Sequence, residues 1–469
     1  GQTCDFYNDC HVVRARRAAQ EADLVVVNHH LLLADLAMKE EGFVEFLPGA
    51  DAIILDEAHQ VPDLAVQFFG ISVGTRELDR LVDETRVATL PFGQAELNRR
   101  VDALSTAVRA LRAEAPREEG RHELDDVLPG LREPLLRIGE AASDLVEALT
   151  ALAHAADEIE KLAEQIITVG EKLALLSEDS AWDGLRWLEV NPRSVRLNLT
   201  PLDVSGKMAA LMSAGQQSWV MTSATLAVGE DFSHFTSRLG LSGARCLTFP
   251  SPFNLAHNGL VYLPRQLPAP SDRDHTAAVL EALLPVMELT DGGVFCLFTS
   301  HRALNNARYW FRQHRSVLGK RPLLVQGTAP RDDLTRRFRE AGNAVLLGTG
   351  SFWEGIDVRG EALTVVMIDK LPFASPGDPL TMARLEFIRR EGGNGFMQHQ
   401  VPQAVLALKQ GVGRLLRSES DYGVILLGDP RLTSKRYGKL FLDSLAPMPT
   451  TPELGAVRQF FMDKKRAVA

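Results

Sequence analysis

The chain has 469 residues, of which 45% are hydrophobic and 24% are charged. This composition is typical of globular proteins and excludes disordered, collagen-like and small disulfide-stapled chains. At roughly 150 residues per domain, the length corresponds to about three domains. The longest apolar runs fall far short of the ~20 residues that span a bilayer, and the first ten residues are polar, without the apolar core of a signal peptide. We therefore expect a cytoplasmic protein with no membrane contact.

The net charge of −10 argues against a partner that is bound by bulk positive charge alone. The charge is unevenly distributed, however. Residues 1–60 sum to −7, residues 61–180 sum to −11, and residues 181–469 sum to +8. A groove that holds nucleic acid is therefore expected in the basic C-terminal part of the chain.

Taken in chain order, the first predicted elements are two short buried strands at residues 24–28 and 52–55. From residue 62 to about 180, Ala, Leu, Glu and Arg dominate. Apolar residues between Leu145 and Leu173 recur at alternating spacings of four and three, which is a heptad stripe. The stripe predicts an antiparallel helical hairpin inside an inserted helical domain, with a packing role and no ligand role.

Beyond residue 182, strand-like and helix-like segments alternate, which is typical of a doubly wound parallel sheet. The predicted strands are Trp219–Thr222, Gly293–Thr299, Pro322–Val325, Val345–Gly348, Leu363–Ile368 and Val424–Leu427. The predicted helices are residues 274–289, 301–318, 330–341, 379–391 and 401–417. Ligands bind beyond the carboxyl ends of the strands in such sheets, so polar residues at those ends are candidates for function.

The first candidate site follows the strand at 52–55 and comprises Asp56, Glu57, Ala58 and His59. A carboxylate at a strand end suits Mg²⁺ held through water. A second carboxylate beside it can take a proton from the water that attacks a γ-phosphate. The alternative is a helix N-cap, with Asp56 as the cap.

The second candidate site follows the strand at 219–222 and comprises Thr222, Ser223, Ala224 and Thr225. Small hydroxyl residues at such a position can link a nucleotide site to another surface. The alternative is an ordinary Ser/Thr turn.

Residues 348–357 form a third candidate site after the strand 345–348. Its glycines allow close approach to a phosphate, and Thr349 and Ser351 can donate hydrogen bonds to phosphate oxygens. Glu354 and Asp357 are available to a ribose or an arginine. The aromatic pair that precedes Glu354 can stack on a base, although core packing is expected for at least one of the two rings.

Residues 410–417 carry Arg414 and Arg417, three positions apart, and Gln410. On a continued helix both arginines would project from one face. A planar guanidinium suits the charge that develops on a transferring phosphoryl group, which is the arginine-finger role. The alternative is a pair of surface salt bridges.

Four cysteines in 469 residues are too few for a disulfide framework. Cys246 and Cys296 are expected to be core residues. Cys4 and Cys10 are spaced as ligands of zinc or of an iron–sulfur cluster, with nearby histidines as possible zinc partners. A packing role after a buried strand is preferred for the histidine pair, His29 and His30.

No Gly-x-x-x-x-Gly-Lys-Ser/Thr segment occurs in the sequence, so the phosphate-cradling loop of a P-loop nucleotide hydrolase is missing. The segment Ser205-Gly206-Lys207-Met208 has neither the spacing nor the final hydroxyl.

Taken together and in order, several segments resemble superfamily 2 helicases, most closely the XPD/DinG family and its bacterial DinG and YoaA branch. The segments are ADLVVVNHHLLLADL, ILDEAH, TSATL, LFTSHRAL, LLGTGSFWEGIDVRGEAL, IDKLPFASPGDP and QGVGRLLRS. The resemblance covers nearly the whole chain, and it matches residues 62–180 in character rather than in motif.

The resemblance implies an ATP-dependent DNA helicase that moves 5′ to 3′ on a single strand, with single-stranded and forked DNA as partners. By motif, the implied ATP-binding residues are Asp56, Glu57, His59, Glu354, Gly355, Asp357, Gln410, Arg414 and Arg417. The implied DNA contacts are Thr299, Ser300, Thr349 and Ser351. The implied coupling residues are Thr222, Ser223, Ala224 and Thr225. Cys4 and Cys10 match two of the four ligands of a 4Fe–4S cluster.

The implied fold is α/β, with two RecA-like P-loop NTPase domains and a helical arch. Residues 1–23 would be the remnant of the cluster region, and residues 24–61 and 182–250 an incomplete first domain. Residues 62–181 would be the arch, and residues 251–469 the second domain. The missing motifs suggest N-terminal truncation. The alternatives are an inactive single-strand-binding or regulatory fragment and, less favoured, a zinc hydrolase.

Overall fold

The computed structural model of the chain describes residues 4, 6–40, 47–152, 154, 156–177, 184–353 and 362–468. The chain divides into two units. The first unit comprises Gly1–Thr222, Thr236–Ser242 and Ser375–Gly395. The second unit comprises Ser223–Phe235, Gly243–Ala374 and Phe396–Ala469. Within the described residues, no helix is both long enough and apolar enough to cross a membrane.

The first part of the chain contains α1 (His11–Glu21), α2 (His29–Glu40), β1 (Ala52–Leu55), α3 (Val61–Phe68), β2 (Ile71–Gly74), α4 (Thr75–Thr89), α5 (Ala95–Glu114), β3 (Gly120–Glu123), α6 (Leu124–Thr150), α7 (Asp157–Ser177), β4 (Gly184–Asn191), β5 (Ser194–Pro201), α8 (Ser205–Ser213) and β6 (Ser218–Met221). Strands β1 and β6 pair in parallel. A separate antiparallel sheet has the order β2, β5, β4, β3.

The antiparallel sheet and helices α4 to α7 share one apolar core. Leu145 of α6 and Ile159 and Ile166 of α7 are buried in it, which confirms the helical hairpin that the heptad stripe predicts. The sheet itself was not predicted. Strands β4 and β5 form a local hairpin, whereas β2 and β3 pair with them across long stretches of sequence. The insertion expected at residues 62–181 therefore packs as one body with residues 184–201.

The strand predicted at residues 24–28 is wrong. The structure has no strand there, and the side chains of Leu24 and Val26 are 79% and 89% exposed. A short apolar run becomes a strand only where a neighbour pairs with it, and among the described residues β1 pairs with β6 alone. The histidine pair, His29 and His30, opens α2, so the expected packing after a buried strand is also wrong.

The remainder of the chain contains α9 (Ser233–Arg238), α10 (Leu255–Asn258), β7 (Gly259–Tyr262), α11 (His275–Met287), β8 (Val294–Leu297), α12 (His301–Gln313), β9 (Leu323–Val325), α13 (Arg331–Ala341), β10 (Val345–Gly348), α14 (Gly350–Trp353), β11 (Val365–Ile368), α15 (Pro379–Arg390), α16 (Val401–Val412), β12 (Gly423–Leu427), α17 (Arg431–Ser434), α18 (Gly438–Asp443), β13 (Thr450–Thr451) and α19 (Leu454–Val468). A π-helical turn, Phe396–Gln400, precedes α16.

The second unit is built on a parallel sheet in the order β13, β7, β12, β11, β8, β10, β9. Its central strands are buried on both faces. Val294 and Cys296 of β8 lie in one apolar core, and Phe295 and Leu297 lie in another. Burial on both faces explains why these strands read as continuous apolar runs. The doubly wound α/β fold is confirmed, and β7 and β13 are additions that the sequence did not indicate.

Leu145→Ala should lower the stability of the helical hairpin by about 2–5 kcal/mol, because it leaves a cavity in a packed core. Leu145 is fully buried, whereas Leu136, on the same helix, is 58% exposed. Leu136→Ala is therefore the matched control and should change stability by less than about 0.5 kcal/mol. Native-state hydrogen exchange of the α6 and α7 amides measures both effects. Equal losses in the two variants would contradict the assignment of the core.

Candidate functional site

The loop after β1, which carries Asp56 and Glu57, is tied to the end of β6 by three hydrogen bonds that all involve Thr222. The Thr222 N–H donates to the Leu55 carbonyl (2.8 Å), and the Ala58 N–H donates to the Thr222 carbonyl (3.0 Å). The Thr222 hydroxyl donates to Asp56 Oδ1 (3.0 Å). The first two predicted motifs therefore meet at Thr222, as expected for the carboxyl ends of neighbouring parallel strands.

Both carboxylates of this loop are accessible to solvent. Asp56 is exposed, with one oxygen oriented by Thr222, and the Glu57 side chain is 59% exposed. His59 Nδ1 lies 3.3 Å from Glu57 Oε2. Glu57 has a φ of 48°, a left-handed conformation that is uncommon for residues other than glycine and is frequent at functional sites. An oriented, exposed carboxylate fits an Mg²⁺ ion held through water.

In the second unit, Thr225 contacts the last turn of α16. The Thr225 N–H donates to Ser223 Oγ (3.1 Å), and Gln410 Nε2 donates to Thr225 Oγ1 (3.4 Å). The Lys409 ammonium donates to the Ala227 carbonyl (3.5 Å), and burial lowers the pKa of Lys409. The hydroxyl motif and the start of the arginine segment, separate in the sequence, are therefore neighbours.

Arg414 and Arg417 do not share a helix face, so that prediction is wrong. Helix α16 ends at Val412, with Gly413 as its C-cap, and both arginines follow in an irregular turn. Both arginines are half-buried, and the Arg417 N–H donates to Asp421 Oδ2 (2.8 Å). Their directions are set by this turn rather than by helical spacing.

Thr349 follows β10 and is buried. Its N–H and its hydroxyl both donate to Gln326 Oε1, at 2.6 and 3.1 Å. Ser351 lies in α14, and its side chain is outside the described residues. Three further predicted nucleotide-binding residues also lie outside them: Glu354, Gly355 and Asp357.

The glycine at the end of β10 is required by core packing. A Cβ at Gly348 would lie 2.9 Å from the Cβ of Phe352. Phe352 is 2% exposed and meets the Phe295 ring edge-on, with centroids 6.4 Å apart. One of the two aromatic residues of this segment is thus a core residue, as expected.

Thr299 and Ser300 follow β8, beside a buried carboxyl that the sequence analysis did not single out. The Thr299 N–H and the Lys370 N–H donate to Asp369 Oδ1, at 3.1 and 2.9 Å. Ser300 caps α12, and its hydroxyl oxygen accepts from the Ala303 N–H (3.2 Å). Asp369 therefore positions the start of the loop that carries two of the four predicted DNA-contacting residues, Thr299 and Ser300.

Asp369 is fully buried, and burial raises the pKa of its carboxyl to about 7, against the opposing effect of Lys370. Asp369 Oδ2 and Thr299 Oγ1 have no hydrogen-bond partner among the described residues. The signal for Asp369 was present in the sequence, since it directly follows the apolar run 365–368, just as Asp56 follows 52–55.

Cys4 is exposed and Cys10 is half-buried. Cys10 is the N-cap of α1, and the backbone N–H groups of Val13 and Val12 lower the pKa of its thiol, which favours the metal-binding thiolate. These two thiols fit part of a four-thiolate cluster site. Across the described residues, no three His, Cys, Asp or Glu side chains are grouped to hold a metal ion.

Cys296 is buried in the second unit, as expected, and burial raises the pKa of its thiol. Cys246 is exposed, so its assignment to a core is wrong. The apolar residues around Cys246 form no strand, and nothing packs over the thiol.

Residues 283–448 match the family described as "Helicase C-terminal domain". The chain is 39% identical over 464 residues to "ATP-dependent DNA helicase YoaA" of Escherichia coli (strain K12), covering 98% of this chain and 72% of the relative. It is 32% identical over 478 residues to "ATP-dependent helicase DinG" of Mycobacterium tuberculosis (strain ATCC 25177 / H37Ra), covering 99% of this chain and 70% of the relative.

Among solved structures, "Structure of S. tokodaii Xpd4" is similar with a TM-score of 0.56 and 15% sequence identity. The similarity covers 89% of this chain and 79% of that structure. At this identity the likeness concerns the fold alone, and it supports RecA-like α/β architecture.

Asp369→Asn should change how stability depends on pH. The raised pKa means that the folded chain holds the proton more tightly than the unfolded chain, in which the pKa is about 3.9. The stabilisation is complete below about pH 4 and is lost as the pH rises towards about 7. Relative to wild type, the variant should therefore gain on the order of 1 kcal/mol per pH unit across that range.

Urea unfolding followed by circular dichroism between pH 5 and 8 measures this dependence. The matched control is Asp332→Asn at an exposed position of α13, which should run parallel to wild type. Parallel curves for Asp369→Asn and wild type would contradict the raised pKa.

Proposed function

Because the chain belongs to the YoaA and DinG family of ATP-dependent DNA helicases, we propose that the protein, in a form that also has a phosphate-cradling loop, translocates 5′ to 3′ on single-stranded DNA and unwinds forked duplexes in repair or replication. The observation that carries the site assignment is the tie between Thr222 and the Asp56 loop. It orients one carboxylate and leaves the neighbouring one accessible. A cytoplasmic setting is part of the same proposal.

Asp56 is proposed to hold Mg²⁺ through water. The hydrogen bond from Thr222 to Asp56 Oδ1 fixes the carboxylate and leaves its other oxygen for the metal-bound water. Magnesium, when bound, neutralises charge on the β- and γ-phosphates of ATP. Glu57 is proposed to accept the proton of the attacking water, with His59 at 3.3 Å helping to orient it.

Arg414 and Arg417 are proposed as arginine fingers that stabilise charge on the transferring phosphoryl group. Gln410 is proposed to contact the nucleotide and to report its state to Thr225, to which it donates a hydrogen bond. Thr222, Ser223, Ala224 and Thr225 form one continuous segment, with a hydrogen bond to Asp56 at its first residue and one from Gln410 at its last. The nucleotide roles of Glu354, Gly355 and Asp357 stay predictions.

DNA binding is proposed to use Thr299, Ser300, Thr349 and Ser351, with mainly phosphate contacts and little sequence preference. The first two stand on the loop that Asp369 positions. Thr349 donates inward to Gln326 in this conformation, so a phosphate contact would require its hydroxyl to rotate.

The domain assignment is retained as a proposal, with one refinement. Residues 24–61 and 202–250 would form the first RecA-like domain, and residues 251–469 the second. The arch, placed at 62–181, would also include β4 and β5, because both strands pair in the sheet that its helices cover.

A 4Fe–4S cluster is proposed to use Cys4 and Cys10, and the lowered pKa of Cys10 supports this. Residues 1–23 would then belong to the cluster region. Two further thiolates are needed, because such clusters take four.

A second candidate function, a single-strand-binding or regulatory fragment without hydrolysis, is favoured by one observation. The sequence has no phosphate-cradling loop.

The test is phosphate release with and without single-stranded DNA. We expect the 469-residue chain to show no DNA-stimulated hydrolysis, since the row of N–H donors to the phosphates is missing, and a longer protein that adds a phosphate-cradling loop to show it. In that longer protein, Arg414→Ala should lower turnover by about 10³-fold with near-normal DNA binding. Robust hydrolysis by the short chain, or full turnover by the variant, would contradict these roles.

Cys10→Ser in the longer protein should abolish the brown colour and visible absorbance of the cluster, since one of its four ligands is lost. The control is Cys246→Ser, which changes an exposed thiol outside the proposed cluster site and should leave the absorbance intact. Iron at full stoichiometry in the Cys10 variant would show that Cys10 is not a ligand.

A further inference from the structure

The segment Ser375–Gly395, which contains α15, leaves the second unit and returns to it. The segment itself belongs to the first unit, whereas the residues before and after it belong to the second. We call Ser375–Gly395 the arm. The helicase-like segment IDKLPFASPGDP reaches only its first five residues, 375–379.

The two ends of the arm start from one point in the second unit. The rings of Phe373 and Phe396, which flank the arm, stack with centroids 5.6 Å apart and planes 24° apart. Tyr437 and Phe441 meet Phe373 edge-on, and the Arg431 guanidinium lies 5.2 Å from the centre of the Phe373 ring. Aromatic pairs of this geometry add stability beyond their burial. The ends are therefore held as a single closed neck.

The first contact of the arm is made by Asp378. Its carboxylate caps α15, accepting the Thr381 N–H at 3.0 Å and the Thr381 hydroxyl at 2.7 Å. The same carboxylate accepts from the Arg121 guanidinium of β3 at 3.0 Å. Arg121 also lies 4.9 Å from the centre of the Trp187 ring of β4. The start of the arm is thus docked on the antiparallel sheet.

The second contact is made by Arg384, which is 8% exposed. Its guanidinium lies 3.6 Å from Asp63 Oδ1 of α3 and donates to the Leu202 carbonyl at 3.5 Å. Burial lowers the pKa of Arg384 to about 10, and Arg238, which also pairs with Asp63, acts in the same direction. A buried charge is expensive to leave without its partner, so this contact is specific.

The contact between Arg384 and Asp63 connects the arm to the helix that follows the Asp56 loop. Helix α3 starts at Val61, directly after the turn that contains His59. The Asp56 loop, this turn and α3 are therefore consecutive in the chain, and Asp63, the partner of Arg384, lies in the first turn of α3. The arm touches both this helix and the antiparallel sheet, and its neck belongs to the second unit.

We propose that the arm is a coupling device that transmits nucleotide-dependent movement of the second unit to α3 and to the antiparallel sheet, with Arg121, Asp378 and Arg384 as positioning residues. The proposal rests on the proposed function, since it assumes that hydrolysis and unwinding both occur. It predicts that weakening the dock separates the two activities: ATP is still hydrolysed, but fewer base pairs open per ATP.

The test uses the variant Arg121→Glu in the longer protein of the hydrolysis test. The substitution replaces the cation that pairs with Asp378 by a carboxylate, so attraction becomes repulsion. Asp378→Asn retains a good N-cap for α15 and removes the charge. The unwinding yield per ATP should fall about fivefold in Arg121→Glu, as expected for a loss near the upper range of exposed ion pairs. DNA-stimulated hydrolysis should stay within about twofold, and the double variant with Asp378→Asn should recover most of the yield.

Hydrogen exchange of the Pro379–Arg390 amides provides a readout that does not need activity. Exchange should be faster in Arg121→Glu and restored towards the wild-type rate in the double variant. Arg132→Glu, at an exposed position of α6, makes the same charge change and should alter neither exchange nor yield.

An unchanged yield per ATP in Arg121→Glu overturns the proposal, and so does an equal fall in hydrolysis and unwinding. If the longer protein without substitutions shows no DNA-stimulated hydrolysis, the proposed helicase function is contradicted independently of the arm. In that case, hydrogen exchange of the Pro379–Arg390 amides tests the contact between the arm and Arg121. Equal exchange rates in wild type and Arg121→Glu would show that this contact does not hold the arm.

Discussion

The parallel pairing of strands is the constraint on which the rest of this structure depends. In a parallel sheet every strand delivers its following loop to the same edge, so residues far apart in sequence meet without any direct signal between them. The pairing of β1 with β6 brings Thr222 to the Asp56 loop. In the second unit, the pairing of β8 with β11 brings Thr299 to Asp369.

Buried carboxylates then fix the conformation of the loops that follow these strands. Asp369 accepts two backbone N–H groups, and Asp429 accepts the Leu371 N–H at 2.8 Å while pairing with Arg431. An unsatisfied buried donor or acceptor costs free energy, so each such bond restricts its loop to few conformations. After β11, the N–H groups of Lys370 and Leu371 are both held by buried carboxylates. These two bonds set the direction in which the chain continues towards Phe373.

The first unit combines two kinds of packing with different consequences for function. Helices α4 to α7 and the antiparallel sheet form a large apolar core of their own. The two-strand sheet of β1 and β6, by contrast, exposes apolar side chains beside the Asp56 loop. A body with its own core can move as a whole, and a cation on its edge, Arg121, is enough to connect it to another segment. Mechanical work in a helicase requires such rigid bodies and a limited number of connections.

The sequence by itself determined the parts of this protein that depend on local chemistry. Continuous apolar runs predicted the central strands of the parallel sheet because burial on both faces demands them, and the heptad stripe predicted the hairpin of α6 and α7. Carboxylates and hydroxyls at strand ends identified Asp56 and Thr222. The same rule applied to Asp369 would have found that residue too.

Only the tertiary structure decided what depends on distant partners. The run at 24–28 is as apolar as a strand, but none of the described residues pairs with it. Arg414 and Arg417 lie outside α16 because that helix ends at Val412. The pairing of β2 with β5 and the contact of Arg384 with Asp63 join segments that are far apart in the sequence. Pairing and ion contacts are made through space, so sequence spacing specifies them only after the fold has brought the segments together.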